Sequence, residues 1–159
     1  MRAGGAGGAG CGRDGARITA EPTDEPELAL TYHLDYGPGA GVCLGPQSAS
    51  FTLNWLDPRV DDYIERIAPA RTFCTRAEAD AFHAAGYFAH LAPADVLIIA
   101  PDGPVNNTLR MAGEPAVHKL LDLLGDLALA GRPVCARVTA HRSGHALNHE
   151  LARRLMELS

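Results

Sequence analysis

His118, Asp122 and Asp126 recur at intervals of four. Four residues carry an α-helix about 40° beyond a full turn, so on a helix all three side chains share one flank. An imidazole and a carboxylate spaced this way can reach one metal ion. Downstream, Ser143-Gly144-His145 presents another histidine immediately after a glycine. Histidine is the side chain best suited to moving protons near neutral pH. The residue types and their spacing therefore point to a metal centre, a catalytic site, or both.

The helix carrying the first three runs from about Pro115 to Gly131-Arg132-Pro133. Proline is tolerated in a first helical turn, and glycine followed by proline ends a helix. The rest of its surface is apolar: Val117, Leu120, Leu121, Leu123, Leu124, Leu127 and Leu129. A helix apolar nearly all round is expected to be buried. Unpaired charge there is costly, so its ionisable groups require partners.

The elements around it follow from pattern. Residues 1–27 are Gly/Ala-rich and then Pro- and acid-rich, and read as a disordered leader with little apolar surface to bury. The folded domain is expected over 28–159. Leu28, Leu30, Tyr32, Leu34 and Tyr36 alternate with polar or small residues, the signature of a half-buried strand. Ser48–Leu53 reads as its antiparallel partner. Short helices are expected over Arg59–Ile67 and Thr75–Ala85, the second with Thr75 and Glu78 at capping-box spacing. Ala68-Pro69-Ala70-Arg71-Thr72-Phe73 reads as an extended loop, because Pro69 disfavours helix before it. Val96–Ala100 is a short apolar strand, Val134–His141 alternates as another, and Ala146–Glu157 is the last helix. The order β-β-α-α-β-α-β-α implies an α+β fold, a two-layer sandwich with helices on one face of a mixed β-sheet.

Composition excludes several classes. The chain has 159 residues, 47% of them hydrophobic, enough for one domain with a core. Its net charge of -5 argues against a nucleic-acid surface. No apolar run reaches the length of a transmembrane span, and no secretory signal opens the chain. The four cysteines form no CxxC pair, which suits a reducing, cytoplasmic setting.

Three stretches, taken together and in this order, resemble the C-terminal domain of the UDP-3-O-acyl-N-acetylglucosamine deacetylases, zinc amidases of lipid A biosynthesis. They are Ala68-Pro69-Ala70-Arg71-Thr72-Phe73, His118-Lys119-Leu120-Leu121-Asp122-Leu123-Leu124-Gly125-Asp126, and Ser143-Gly144-His145-Ala146-Leu147-Asn148. Leu30–Gly37, Asn106–Arg110 and Ala94-Asp95 add support. The resemblance covers nearly everything from Leu28 onward. It implies that His118 and Asp122 are Zn2+ ligands. It implies that His145 is a protonated acid that stabilises the oxyanion and protonates the leaving amine, oriented by Asp126. Thr72 would help hold the oxyanion, and Lys119 would contact the diphosphate of the UDP-linked acylated glucosamine substrate. Phe73 and the insert at 74–104 would border the acyl passage. Zinc chemistry suits these types, and a carboxylate beside an imidazole favours its charged form.

The same family places its active site between two lobes, and the first lobe supplies a third zinc ligand and a glutamate base. No matching His-Glu motif is present here; His149-Glu150 belongs to the last helix. The chain alone is therefore expected to be an incomplete enzyme, a piece of a longer protein or half of a split one. Two other classes remain open: an inactive lobe acting as a binding or interaction module for a separate N-terminal lobe, and a relative that binds only a phosphate-bearing ligand through Lys119. Taken singly, Lys119 reads as a solvated lysine, Asp126 as a salt-bridge partner and Thr72 as a loop hydroxyl. His33, His83, His90, His141 and His149 take surface or structural roles. Cys135 is a further candidate ligand, on a strand whose alternation points it elsewhere.

Overall fold

In the computed structural model, which describes residues 8–37, 43–58 and 60–157, alternation builds the frame. β3 (Glu27–Leu34) buries Leu28, Leu30, Tyr32 and Leu34 and turns Ala29, Thr31 and His33 outward, the two-residue period of a half-buried strand. β4 (Gln47–Asn54) returns antiparallel to it, with Leu30 opposite Phe51. β8 (Ala136–His141) lies parallel along the other edge of β3, with Leu30 opposite Val138 and His33 opposite His141.

The sheet is wider than the sequence suggested. β1 (Ala9–Arg13) and β2 (Ala16–Pro22) form a hairpin, and β2 pairs antiparallel with β8. The order is β1-β2-β8-β3-β4, five strands in a mixed sheet. The leader read as disordered is thus, from Ala9 to Pro22, part of the fold; residues 1–7 lie outside the described residues. Asp14 and Gly15 at the hairpin tip both take positive φ, 52° and 79°, as a two-residue β-hairpin turn requires. Only Ile18 and Ala20 are fully buried from β2, with Ala16 partly buried beside them, so the apolar signal is thin. The glycines that suggested disorder are there for close approach: a Cβ on Gly12 would lie 3.0 Å from the Ala16 carbonyl oxygen.

The helices form the second layer. α3 (Glu114–Ala128) packs on β3 and β4, α4 (His145–Glu157) packs on β1 and β2, and the two helices pack side by side. Leu120, Leu123 and Leu127 of α3 and Leu147 and Leu151 of α4 join Ile18, Leu30, Tyr32 and Val138 in one core. The expectation that α3 is buried all round is corrected. Val117, Leu121 and Leu124 are only half-buried, because a two-layer fold leaves the outer side of its helices without a third layer.

Between β4 and α3 the chain makes α1 (Val60–Arg66) and then a small second sheet. Arg59, where that helix was expected to start, lies outside the described residues. β5 (Phe73–Thr75) and β6 (Leu97–Ala100) are parallel, and β7 (Gly103–Pro104) closes the sheet antiparallel to β6. α2 (Arg76–Ala84) starts with the anticipated capping box: the Thr75 hydroxyl accepts from Glu78 N, and Glu78 accepts from Thr75 N. The end of the expected extended loop, Phe73, enters β5, which holds that loop beside α3.

Candidate active site

The cleft lies where β3 and β8 end, β5 begins and α3 passes beneath. Its volume is about 430 Å³, and Thr72, Phe73, His118, Lys119, Asp122 and His145 all line it. Six of the seven site residues expected from sequence therefore share one cleft. The seventh, Asp126, stands behind His145.

α3 sets the first pair. The His118 Nδ1–H donates to the Ala70 carbonyl at 3.1 Å. A carbonyl only accepts, so the hydrogen of a neutral ring belongs on Nδ1 and the Nε2 lone pair is free. That Nε2 faces Asp122 Oδ1 at 3.4 Å, while Lys119 Nζ donates to Asp122 Oδ2 at 2.6 Å. Lys119 thus neutralises the neighbouring carboxylate. Phe73 packs edge-on against the His118 ring, centroids 6.3 Å apart, and restricts its rotation.

α4 and the turn before it set the second pair. The His145 Nδ1–H donates to Asp126 Oδ2 at 2.8 Å, and its Nε2 lies 3.9 Å from Asp122 Oδ2. His145 therefore spans the two carboxylates, with its side chain 61% exposed toward the cleft. Asp126 is held further: Asn148 Nδ2 donates to Oδ2 at 2.9 Å, and the ring of His149 donates through Nε2 to Oδ1 at 2.9 Å. Burial pushes the Asp126 carboxyl up, but the donors from Asn148, His145 and His149 outweigh it and hold it below the usual carboxylate range. Ser143 Oγ donates to Asn148 Oδ1 at 2.8 Å, which fixes the amide so that its NH₂ faces Asp126. The Tyr32 hydroxyl donates to the Ser143 carbonyl, and burial pushes that phenol up to about 12.

Two sets of potential metal ligands result. Asp126, His145 and His149 place one ligand atom each within 4.8 Å of one another. Both oxygens of that carboxylate already accept N–H groups at 2.8–2.9 Å, so hydrogen bonds satisfy it without an ion. His118 Nε2 and Asp122 Oδ1 differ. One ring nitrogen is pinned by a carbonyl and the other is free beside a carboxylate oxygen, the usual arrangement around a ligating histidine. That nitrogen and oxygen suit zinc. They are two donors where a catalytic zinc takes three from protein. Cys135 is exposed and joins no group of three candidate ligands among the described residues.

Sequence reasoning gave His149 a surface or structural role and left Tyr32, Ser143 and Asn148 without roles. His149 was within reach of it: it lies four residues after His145 on α4, the same spacing that singled out His118 and Asp122. Tyr32 carries no comparable signal, because its partner lies across the fold. His33 is bonded to Ser48 on the outer face of the sheet, and His141 lies beside it.

Comparison with known proteins reaches the same region. The model of the family described as UDP-3-O-acyl N-acetylglycosamine deacetylase matches residues 10–157. Proteins named UDP-3-O-acyl-N-acetylglucosamine deacetylase are similar to the chain. One from Thermosynechococcus vestitus is 40% identical over 142 residues, 89% of this chain and 46% of the relative. One from Nostoc sp. is 35% identical over 147 residues, 92% and 50% respectively. One from Chlamydia abortus is 32% identical over 142 residues, 89% and 48%. The chain thus spans about half the length of the curated relatives it matches.

Proposed function

The chain belongs to the UDP-3-O-acyl N-acetylglycosamine deacetylase family, and from that premise we propose that it carries one wall of a zinc-dependent deacetylase site acting on a UDP-linked, 3-O-acylated N-acetylglucosamine in lipid A biosynthesis. The observation that carries the reading is His145. Its Nδ1 is bonded to Asp126 at 2.8 Å and its Nε2 stands 3.9 Å from Asp122, so a proton-transfer group and a candidate metal ligand face one cleft.

His118 and Asp122 would hold the zinc. When bound, zinc polarises the amide carbonyl and acidifies a water molecule. The chain's own residues do the rest. His145, charged and held by Asp126, faces the negative charge that develops on the carbonyl oxygen and gives its Nε2 proton to the amine as the C–N bond breaks. Thr72 offers a hydroxyl to the same oxygen from the cleft wall. Lys119, whose Nζ donates to Asp122 in the free chain, would turn to the diphosphate, and the Phe73 ring borders the cleft where the 74–104 insert begins. The third ligand and the general base belong, in this reading, to the half of the relatives that this chain does not span. A cytoplasmic site of action belongs to the same reading; among the described residues no helix is long and apolar enough to cross a membrane.

A second reading, an inactive lobe that binds a partner lobe, is favoured by an apolar cleft of about 390 Å³ that includes Trp55, Tyr63, Leu121 and Leu124. Zinc separates the two. The catalytic reading expects the chain to take up one zinc or cobalt ion, weakly, through His118 and Asp122. It expects deacetylation of the UDP-sugar once the remaining half of a relative is supplied as a separate chain. Assembly of the two halves with neither metal uptake nor turnover would leave the binding module as the answer.

A further inference from the structure

The proposed chemistry leaves one buried ion pair unused. Arg71 is 6% exposed and Glu114 is fully buried. Arg71 Nε donates to Glu114 Oε1 at 2.8 Å and Nη2 to Oε2 at 3.0 Å, the two-pronged fork that Arg forms with a carboxylate. The backbone N–H groups of Arg71 and Arg110 also donate to this carboxylate, at 3.1 and 2.7 Å. The remaining guanidinium donors reach Thr108 O at 2.7 Å and Asn107 Oδ1 at 2.9 Å. Burial pushes the Glu114 carboxyl up, and the donors of Arg71 and Arg110 outweigh it and hold it below its ordinary value.

A buried pair is by itself weak evidence for stability, because desolvation offsets its attraction. Its place is more informative. Glu114 is the first residue of α3, one helical turn before His118. Arg71 stands between Ala70, whose carbonyl accepts the Nδ1–H of His118, and Thr72, which lines the cleft. With its own N–H and its guanidinium both bonded to Glu114, Arg71 fixes the backbone that presents both neighbours. We propose that Arg71, through Glu114, is a positioning residue that holds the Ala70 carbonyl on His118 and Thr72 in the cleft, and so keeps His118 in the tautomer whose Nε2 is free to bind a metal. The functional consequence rests on reading His118 as a ligand. The geometric claim stands apart from it.

The test is nitrogen NMR of histidine-labelled, metal-free chain above the imidazole titration range, with zinc affinity measured in parallel. Wild-type His118 is expected wholly as the Nδ1–H form. Glu114→Gln presents an NH₂ to the donors of Arg71, and Arg71→Lys loses the fork. In either, the Nε2–H form of His118 should appear and the Thr72 amide signal should move. Zinc affinity should fall about 10- to 100-fold, the usual effect of losing a partner behind a ligand. Folded variants that keep His118 in the Nδ1–H form and Thr72 unshifted, with only a lower melting temperature, would make the pair purely structural and overturn the proposal. An Nε2–H His118 in the wild type would overturn it as well, whether or not the variants fold. Failure of the catalytic reading looks different: the wild type shows the Nδ1–H form and the variants respond, but no zinc binds.

Discussion

His149 Nε2 meets Asp126 Oδ1 at 2.9 Å, on the carboxylate oxygen that His145 does not use. Asp126 Oδ2 carries both His145 and Asn148, while His149 holds Oδ1. Losing it frees the carboxylate to rotate. A hydrogen bond to a charged group contributes roughly 1.5–3 kcal/mol, and each 1.4 kcal/mol is about tenfold. In an enzyme assembled from both halves, His149→Leu should lower kcat by about tenfold with KM and zinc content unchanged, and His149→Gln should restore most of it. Equal activity of wild type and His149→Leu would leave His149 with no part in turnover, in the surface or structural role read from sequence.

In the proposed reading His145 transfers a proton and Asp122 holds the metal, and substitution separates the two roles. His145→Ala in the assembled enzyme should cut turnover by roughly 10²–10⁴, the loss of a proton-transfer group, and retain zinc. Asp122→Ala should lose the metal. Metal analysis beside single-turnover rates decides it; a zinc-free His145→Ala with a zinc-loaded Asp122→Ala would reverse the assigned roles.

Asp126 gives a pH signature. Its folded-state carboxyl is held below the ordinary carboxylate range. Its contribution to stability is thus fully present above the unfolded carboxyl value and is lost as pH falls through the lower folded value. Unfolding free energy followed from pH 7 downward should decline on the acid side for the wild type. Asp126→Asn should be less stable at pH 7 and show a shallower acid decline. Parallel acid limbs would mean that Asp126 titrates alike in both states.

The hairpin makes a claim that the sequence reading would have denied. Ile18 is fully buried from β2, so Ile18→Ala should cost about 2–5 kcal/mol, as for a large-to-small change in a core. A disordered leader would tolerate it without effect. Urea unfolding of the two proteins distinguishes the cases.

What the sequence revealed and what it hid have separate physical causes. The alternation of β3, the capping box of α2 and the His118–Asp122–Asp126 spacing are local, and local patterns are legible. β1 and β2 were hidden because their stability is borrowed: β2 pairs with β8, more than a hundred residues later in the chain, and its inward face offers only Ala16, Ile18 and Ala20. The positive-φ pair Asp14-Gly15 was the one available turn signal. Within the site, His118, Lys119, Asp122, His145, Thr72, Phe73 and the Asp126 behind His145 were found through motif order, while Tyr32, Ser143, Asn148 and the Arg71–Glu114 pair were not. Glu114 and Arg71 are 43 residues apart, and nothing in either segment names the other. The half-exposed outer side of α3 was misread because composition reports how apolar a helix is, not how many layers the fold has.

Tyr32 offers the mildest test of how the His145 turn is held. Its hydroxyl is buried and donates to the Ser143 carbonyl. The Ser143 hydroxyl in turn sets the Asn148 amide on Asp126. Tyr32→Phe removes one oxygen and keeps the ring in the core. It leaves a buried carbonyl unmet, at a cost of about 1–3 kcal/mol, and loosens the backbone one residue before Gly144. The expected result is a lower melting temperature together with faster amide exchange at Ser143–His145, while exchange at His118–Asp122 on α3 stays as it was. A loss of protection spread evenly over β3 and α3 would show that Tyr32 serves the core as a whole and not the turn.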